Sequence, residues 1–257
     1  MSRGRRALIF VVVVLLVGAG ATAAQALRTD PLSTWQVKRV PVKVVDTAYV
    51  PARDVLVATV DQEDASLGND LVEVNPETGL LGRQLYVGSR PGDVAVSGDG
   101  STAYVALQGA NAIVQIDLVT FTVTRRIATE VASYPGGPAF AYHLEVAPGT
   151  NNIVVATLWF ADGYSGGIWA FKDGVAMPSH YDADTSLVWT FLDDTTIVAA
   201  GSDATQQHLV LYPYYLDDTG ITVDFDAGVL LVSATASSGT STVASGKYAA
   251  AQPGGVG

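Results

Sequence analysis

Apolar and polar positions along this chain fall into short runs separated by turn residues, most clearly between Pro91 and Ile127: PGDVAVSGDGSTAYVALQGANAIVQIDLVTFTVTRRI. Four extended segments can be marked there, at 93–97, 102–107, 112–117 and 121–127. Gly98-Asp99-Gly100 separates the first two, and its glycines supply the positive φ a tight hairpin needs. Gly109-Ala110-Asn111 and Leu118-Val119-Thr120 make the other two connections. The first two segments are apolar on both faces, as strands are when covered from both sides. The fourth alternates, with Phe121, Val123 and Ile127 on one parity and Thr122, Thr124 and Arg126 on the other, although Arg125 breaks the pattern. The gradient predicts a four-stranded antiparallel sheet running from a doubly buried inner strand to a half-exposed outer one.

The same order recurs. The second strand of each unit is the most legible, and Val57, Val105, Val155, Val198 and Val243 occupy matching places, at steps of 48, 50, 43 and 45 residues. Such a period suits propeller blades and is too long for leucine-rich or helical repeats. Third and fourth strands are expected at 70–74 and 83–87, at 167–171 and near 175–180, and at 208–212 and 221–225. No stretch after the first 26 residues keeps a helical period. The fold expected is all-β: a β-propeller of four-stranded antiparallel blades, at 41–90, 91–131, 138–182 and 184–226, with a partial fifth at 228–246 and a Gly/Ala-rich tail at 247–257. The partial unit holds an inner strand near 229–233 and a second strand near 241–245, and a strand at 35–40 is placed to close the ring. Either the ring has five distorted blades or the chain is part of a larger propeller.

The 91–127 unit resembles the YVTN-type β-propeller repeat: a Pro-led inner strand, a DG turn, a Tyr-Val strand, a short Asn-containing loop, a strand ending in Ile-Asp, and an outer strand. Tyr104-Val105-Ala106 stands where the family has Tyr-Val-Thr-Asn, so the repeat is relaxed. The likeness is close over about forty residues and loose elsewhere. It implies a place among propellers of the quinoprotein amine dehydrogenase-like and lactonase-like superfamily, although their metal or quinone-binding residues do not map onto this sequence position by position.

Charge narrows the partners. The 257-residue chain carries 14 Lys and Arg against 25 Asp and Glu, a formal net charge of −11. Such a surface repels nucleic acid and anionic headgroups. At the N-terminus, SRGRR precedes an apolar run from Ala7 to Val17 and small residues ending Ala24-Gln25-Ala26. That is the form of a signal peptide at 1–26 with an A-x-A cleavage site, the other reading being an uncleaved anchor helix, and 27–34 is then a polar lead. A secreted, periplasmic or cell-surface location is expected, and with no cysteine in the chain, export does not imply disulfides.

Candidate chemistry is sparse. His143 and Glu145, two apart on an expected inner strand, share a face; they are candidates for a ligand or divalent metal, or for packing and a structural hydrogen bond. Asp61, Glu63, Asp64 and Asp70 gather in one long loop and its end, which suggests calcium, but the D-x-[DN]-x-[DN]-G spacing is missing and acids also build turns. Trp159, Tyr164 and Trp169 flank a glycine-rich stretch, as stacking surfaces for a sugar or peptide or as filling between blades. No G-x-S-x-G, H-E-x-x-H or phosphate-binding glycine loop occurs. The reading is an exported binding or interaction module for a protein, glycan or small ligand, with no cofactor predicted; the alternative is an exported lactonase-like hydrolase using a channel metal.

Overall fold

Strands alternate their side chains between two faces, and here the two faces of one sheet enter two different cores. The computed structural model describes residues 39–130, 137–181, 188–202, 209–223, 229–232, 240–245 and 248–253. The leader expected at 1–26 and the polar lead expected at 27–34 lie outside them; of the strand expected at 35–40 only Arg39 and Val40 are described, and neither is in a strand.

Four antiparallel sheets of four consecutive strands follow one another. The first holds β1 (Val44–Val50), β2 (Val55–Val60), β3 (Asp70–Val74) and β4 (Leu81–Tyr86). The second holds β5 (Pro91–Val96), β6 (Thr102–Leu107), β7 (Ala112–Asp117) and β8 (Thr122–Ala128). The third holds β9 (Ala139–Val146), β10 (Ile153–Phe160), β11 (Ser165–Lys172) and β12 (Val175–Ala176). The fourth holds β13 (Val188–Phe191), β14 (Thr196–Ser202), β15 (Leu209–Asp217) and β16 (Gly220–Val223). β1 lies beside β5 and β5 beside β9, and β9 reaches β13 through the Phe191 amide, which donates to Glu145; these are the inner strands. Described residues include no helix.

Two expectations are corrected. Val229–Val232 forms β17, which does not open a fifth unit but pairs with Leu209–Leu211 of β15. The reason lies in the partner, since β16 pairs only with Tyr214–Asp217 and an apolar strand completes the remaining edge. Within the supposed tail, Tyr248–Pro253 is a strand, β19, in a hairpin with β18 (Thr240–Ser245). β18 lies against β13 and β14, so this hairpin is the partial fifth blade.

Between the first two sheets, Val50, Val57 and Leu71 meet Val94, Val105, Val114, Ile116 and Phe121. Between the second and third, Ala95, Tyr104, Ile113 and Ile127 meet Leu144, Val154, Leu158 and Trp169. Between the third and fourth, Val155, Ile168 and Ala170 meet Trp189, Phe191, Ile197 and Tyr214. Neighbours in sequence therefore serve opposite seams: Val94 and Val105 one, Ala95 and Tyr104 the other. On the far face of the first sheet, Val40 and Val42 cover Ala58, Val60, Val72 and Val74.

Burial follows the expected gradient: every residue of β6 is buried, whereas in β8 only Ile127 is. Val123, expected inside, is 41% exposed. Register explains this. Gln115 faces Arg125 but Ile116 faces Val123, so Thr124 is an extra residue and the bulge rotates what precedes it outward.

At the first and third seams the outer edge docks on the next sheet. Glu73, buried in β3, is held by Arg53 and by both sides of the Arg83 guanidinium at 2.9 Å. Arg83 also donates to the Leu118 and Val119 carbonyls at 2.7 and 2.9 Å and lies 4.5 Å over the Phe121 ring. Phe121 adopts φ 56°, where the matching turn of the first sheet has Gly79 at 71°; burial of its ring under Arg83 offsets that strain. At the third seam the tie is backbone: Ser179 donates to the Thr219 carbonyl and accepts from Ile221, at 2.7 and 2.9 Å.

That last tie generates a prediction. Gly220 has φ +128°, and a Cβ there would meet the Ser179 carbonyl oxygen. Gly220→Ala is expected to destabilise by about 2–4 kcal/mol, against about 1 kcal/mol for Gly163→Ala. Gly163 also has positive φ, +90°, but open space around it. Urea denaturation of both variants is the check, and equal losses would refute close packing at this seam.

Candidate functional site

The inner strands share a local device. Each of the first three carries a register shift near its start: Val45 is extra in β1, one residue of Gly92-Asp93 in β5, and Tyr142 in β9. Such bulges re-aim side chains, and here the side chains that follow or form them are polar groups in an otherwise apolar edge.

The Val94 amide donates to Asp46 Oδ2 at 2.9 Å, the Leu144 amide to Asp93 Oδ2 at 2.6 Å, and the Phe191 amide to Glu145 Oε2 at 3.1 Å. A carboxylate of one sheet thus accepts from the backbone of the next at all three seams. His143 completes the line: Nδ1 is 3.0 Å from Asp93 Oδ2, Nε2 is 3.5 Å from Glu145 Oε1, and its ring meets Trp189 edge-on at 4.8 Å. Trp189, buried, donates from Nε1 to Thr157 Oγ1 at 2.6 Å.

Electrostatics follow from this geometry. Burial disfavours a charged imidazole, but the hydrogen bonds and charges of Asp93 and Glu145 outweigh it and raise His143 from 6.5 to about 10. Burial would likewise raise Asp93, yet the bond to His143 and its charge keep it below the usual carboxylate range. At neutral pH His143 is therefore an imidazolium between two carboxylates.

Sequence reasoning paired His143 with Glu145, and the structure brings them together, but as two members of a four-residue line with Asp93 and Asp46. Metal ligation requires a neutral imidazole with a free ring nitrogen, and here both nitrogens face carboxylates. Among the described residues no group of three or more His, Asp or Glu is arranged to hold a metal. Asp46 and Asp93 were missed because their partners lie about fifty residues away, although a lone acid inside VVDTAYV and PGDVAV was a readable signal.

The acidic loop is built from turns. Asp64 Oδ1 accepts from the Ser66 and Leu67 amides at 3.0 and 3.1 Å and Oδ2 from the Lys43 amide at 3.1 Å; these bonds hold its carboxyl at about 2. Asp61 accepts from the Glu63 amide at 2.7 Å, and Glu63 pairs with Lys43 at 3.5 Å. Asp70 begins β3, where burial raises its carboxyl.

Of the three aromatic candidates, Trp169 is buried, 6% exposed, with its ring stacked on His180 at 3.6 Å and Nε1 donating to the Gly166 carbonyl at 2.7 Å. That places it in a seam rather than on a contact surface. Trp159 and Tyr164 instead lie at one end of the third sheet, where Trp159 faces Phe140 and Ser165 in register and the Phe160 amide donates to the Tyr164 carbonyl. Tyr142, exposed by the β9 bulge, joins them with its ring 5.5 Å from that of Trp159 at a 42° tilt.

Solved structures share this arrangement. Hydrazine synthase from Kuenenia stuttgartiensis is 18% identical with a TM-score of 0.52, over 69% of this chain and 53% of that one. The WD40 domain of coronin from Toxoplasma gondii is 13% identical with a TM-score of 0.52, over 70% and 45%. U3-55K is 9% identical with a TM-score of 0.53, over 72% and 53%. The fold is a β-propeller. This chain spans about half the length of the solved chains it matches. No protein-family model and no curated protein matches it.

For a propeller tied along its inner edge, pH is a direct probe. A raised imidazole pKa gives stability that is complete below the unfolded value of 6.5 and fades as pH rises through about 10. His143→Gln is expected to lose about 2 kcal/mol at pH 7, and the gap from the unsubstituted protein should narrow as pH rises above 6.5 and be gone by about 10 in urea melts. A gap independent of pH would show that His143 acts through packing alone.

Proposed function

We propose that this propeller is an exported interaction module built from relaxed YVTN-type repeats, and that it holds a protein, glycan or small ligand at the exposed end of its third blade. The aromatic group there carries the reading. Tyr142 and Tyr164 are 50% and 58% exposed, and Tyr142 lies against Trp159 on the same end of the sheet. Rigid aromatic faces on paired strands offer large contact area with little entropy to lose, which suits sugars, prolines and basic side chains alike. The inner-edge acids and His143 point the same way, because their polar atoms already join blades and bond to neighbouring backbone. The strongly negative chain favours neutral or cationic partners.

Glycan and peptide arrays probed with the labelled protein identify the ligand class, and titration of the strongest binder gives its Kd. The double variant Tyr142→Ala, Trp159→Ala is expected to bind about tenfold more weakly or worse with an unchanged circular dichroism spectrum. Undiminished binding would remove this end of the blade from the proposal. Export is checked by the intact mass of product from the culture medium, expected to lack residues 1–26; full-length protein confined to the cytosol would remove that part.

A further inference from the structure

The aromatic end of the third sheet belongs to the most acidic part of the chain. Between Arg126 and Lys247 the sequence holds thirteen Asp and Glu against a single Lys or Arg, Lys172. That lysine closes β11 at the other end of the sheet, opposite Ile153, whereas Trp159 stands opposite Ser165 at the aromatic end. The charge of His143 is already balanced by Asp93 and Glu145, at 3.0 and 3.5 Å from its ring nitrogens. Acids flank the rings instead. Exposed Asp162 lies on the turn from Trp159 to Tyr164 and accepts from the Tyr164 amide at 3.3 Å. Exposed Glu130 follows Thr129, whose hydroxyl donates at 2.6 Å to the carbonyl of Ala139, the first residue of β9.

The rings add to the same field, because an aromatic face is itself negative. Tyr142, the extra residue of the β9 bulge, and Trp159 have centroids 5.5 Å apart and planes 42° apart, which makes a shallow wedge rather than a closed stack. A guanidinium or alkylammonium within about 6 Å of such a ring is drawn by the quadrupole and by the acids together. A neutral sugar would use the stacking surface and not the field, and an anion would be repelled by it.

We propose that the ligand of this end is a basic peptide segment, with an arginine or lysine side chain set against Tyr142 and Trp159 and neighbouring basic residues drawn by the acidic excess of the third and fourth blades. The inference rests on the reading that this end of the blade is a binding surface. A peptide suits it better than a free amine. On an open blade end a single small cation keeps most of its water and is screened by salt, whereas several charges on one chain add their attraction to an excess of acid spread over two blades.

Fluorescence anisotropy on the full chain tests this with a labelled peptide of three glycine-spaced arginines and its citrulline counterpart, which has the same shape without the charge. The arginine peptide is expected to bind about tenfold more tightly or better. Tyr142→Leu keeps apolar bulk at an exposed position and removes the ring, and should weaken that binding about threefold, while Tyr142→Phe leaves it unchanged. Equal binding of the two peptides would overturn the cation. Undiminished binding by Tyr142→Leu would move the peptide away from the rings and overturn the site. N-acetylarginine amide binding as tightly as the peptide would put a free cation in its place and overturn the peptide. A glycan bound in preference to the peptide, and lost in the Tyr142→Ala, Trp159→Ala variant, would overturn this inference and leave the binding surface itself standing.

Discussion

Everything in this protein depends on the seam between two sheets. Each blade presents apolar residues on both faces, and a sheet of that composition is stable only when covered twice. Val94 and Val105 go one way while Ala95 and Tyr104 go the other. A blade is therefore a shared wall, and the hydrophobic effect acts between repeats more than within them.

Burial alone sets no register between two such walls, because an apolar face slides on another at little loss. The polar groups supply what burial lacks, and they sit at the two margins. Along the inner margin, carboxylates reach backbone amides of the next sheet; along the outer, Arg83 grips the turn carbonyls at Leu118 and Val119, and Ser179 bridges to Gly220. Each is a charged or backbone hydrogen bond whose loss leaves a desolvated partner, so a slip is penalised more heavily than the bond stabilises. Buried charge is often a weak contributor to net stability and a strong one to specificity. The Arg53–Glu73–Arg83 cluster, pinned to the neighbouring turn, fits that division.

The strands and turns were legible in the sequence because they are local. The segment 102–107 was bounded as it is found, and the acids at turn positions act as turn formers, Asp117 accepting from the Val119 and Thr120 amides. What escaped is long-range. A bulge at Thr124 or Tyr142 leaves no mark in hydropathy, yet it decides that Val123 and Tyr142 face solvent. The pairing of β17 with β15 depends on how far β16 extends, which no window of sequence contains. At the site, half was readable: the i, i+2 spacing put His143 and Glu145 on one face, but Asp93 reaches His143 across fifty residues of chain. That one partner changes the surroundings, so that each ring nitrogen of His143 faces a carboxylate.

The inner ties also show why this repeat is easier to recognise in space than in letters. Asp46 stands opposite Thr59 in its sheet, whereas Glu145 stands opposite Val155, two places further along the ladder. The same task, accepting an amide from the next inner strand, is done from different positions with different side-chain lengths. The outer ties differ more: a guanidinium at one seam, two backbone bonds at another. The physical requirement is a donor and an acceptor brought together at the margin of an apolar wall, and several residues meet it. Only where geometry narrows the choice does a letter become obligatory, as at Gly220, where the neighbouring carbonyl leaves no room for a side chain.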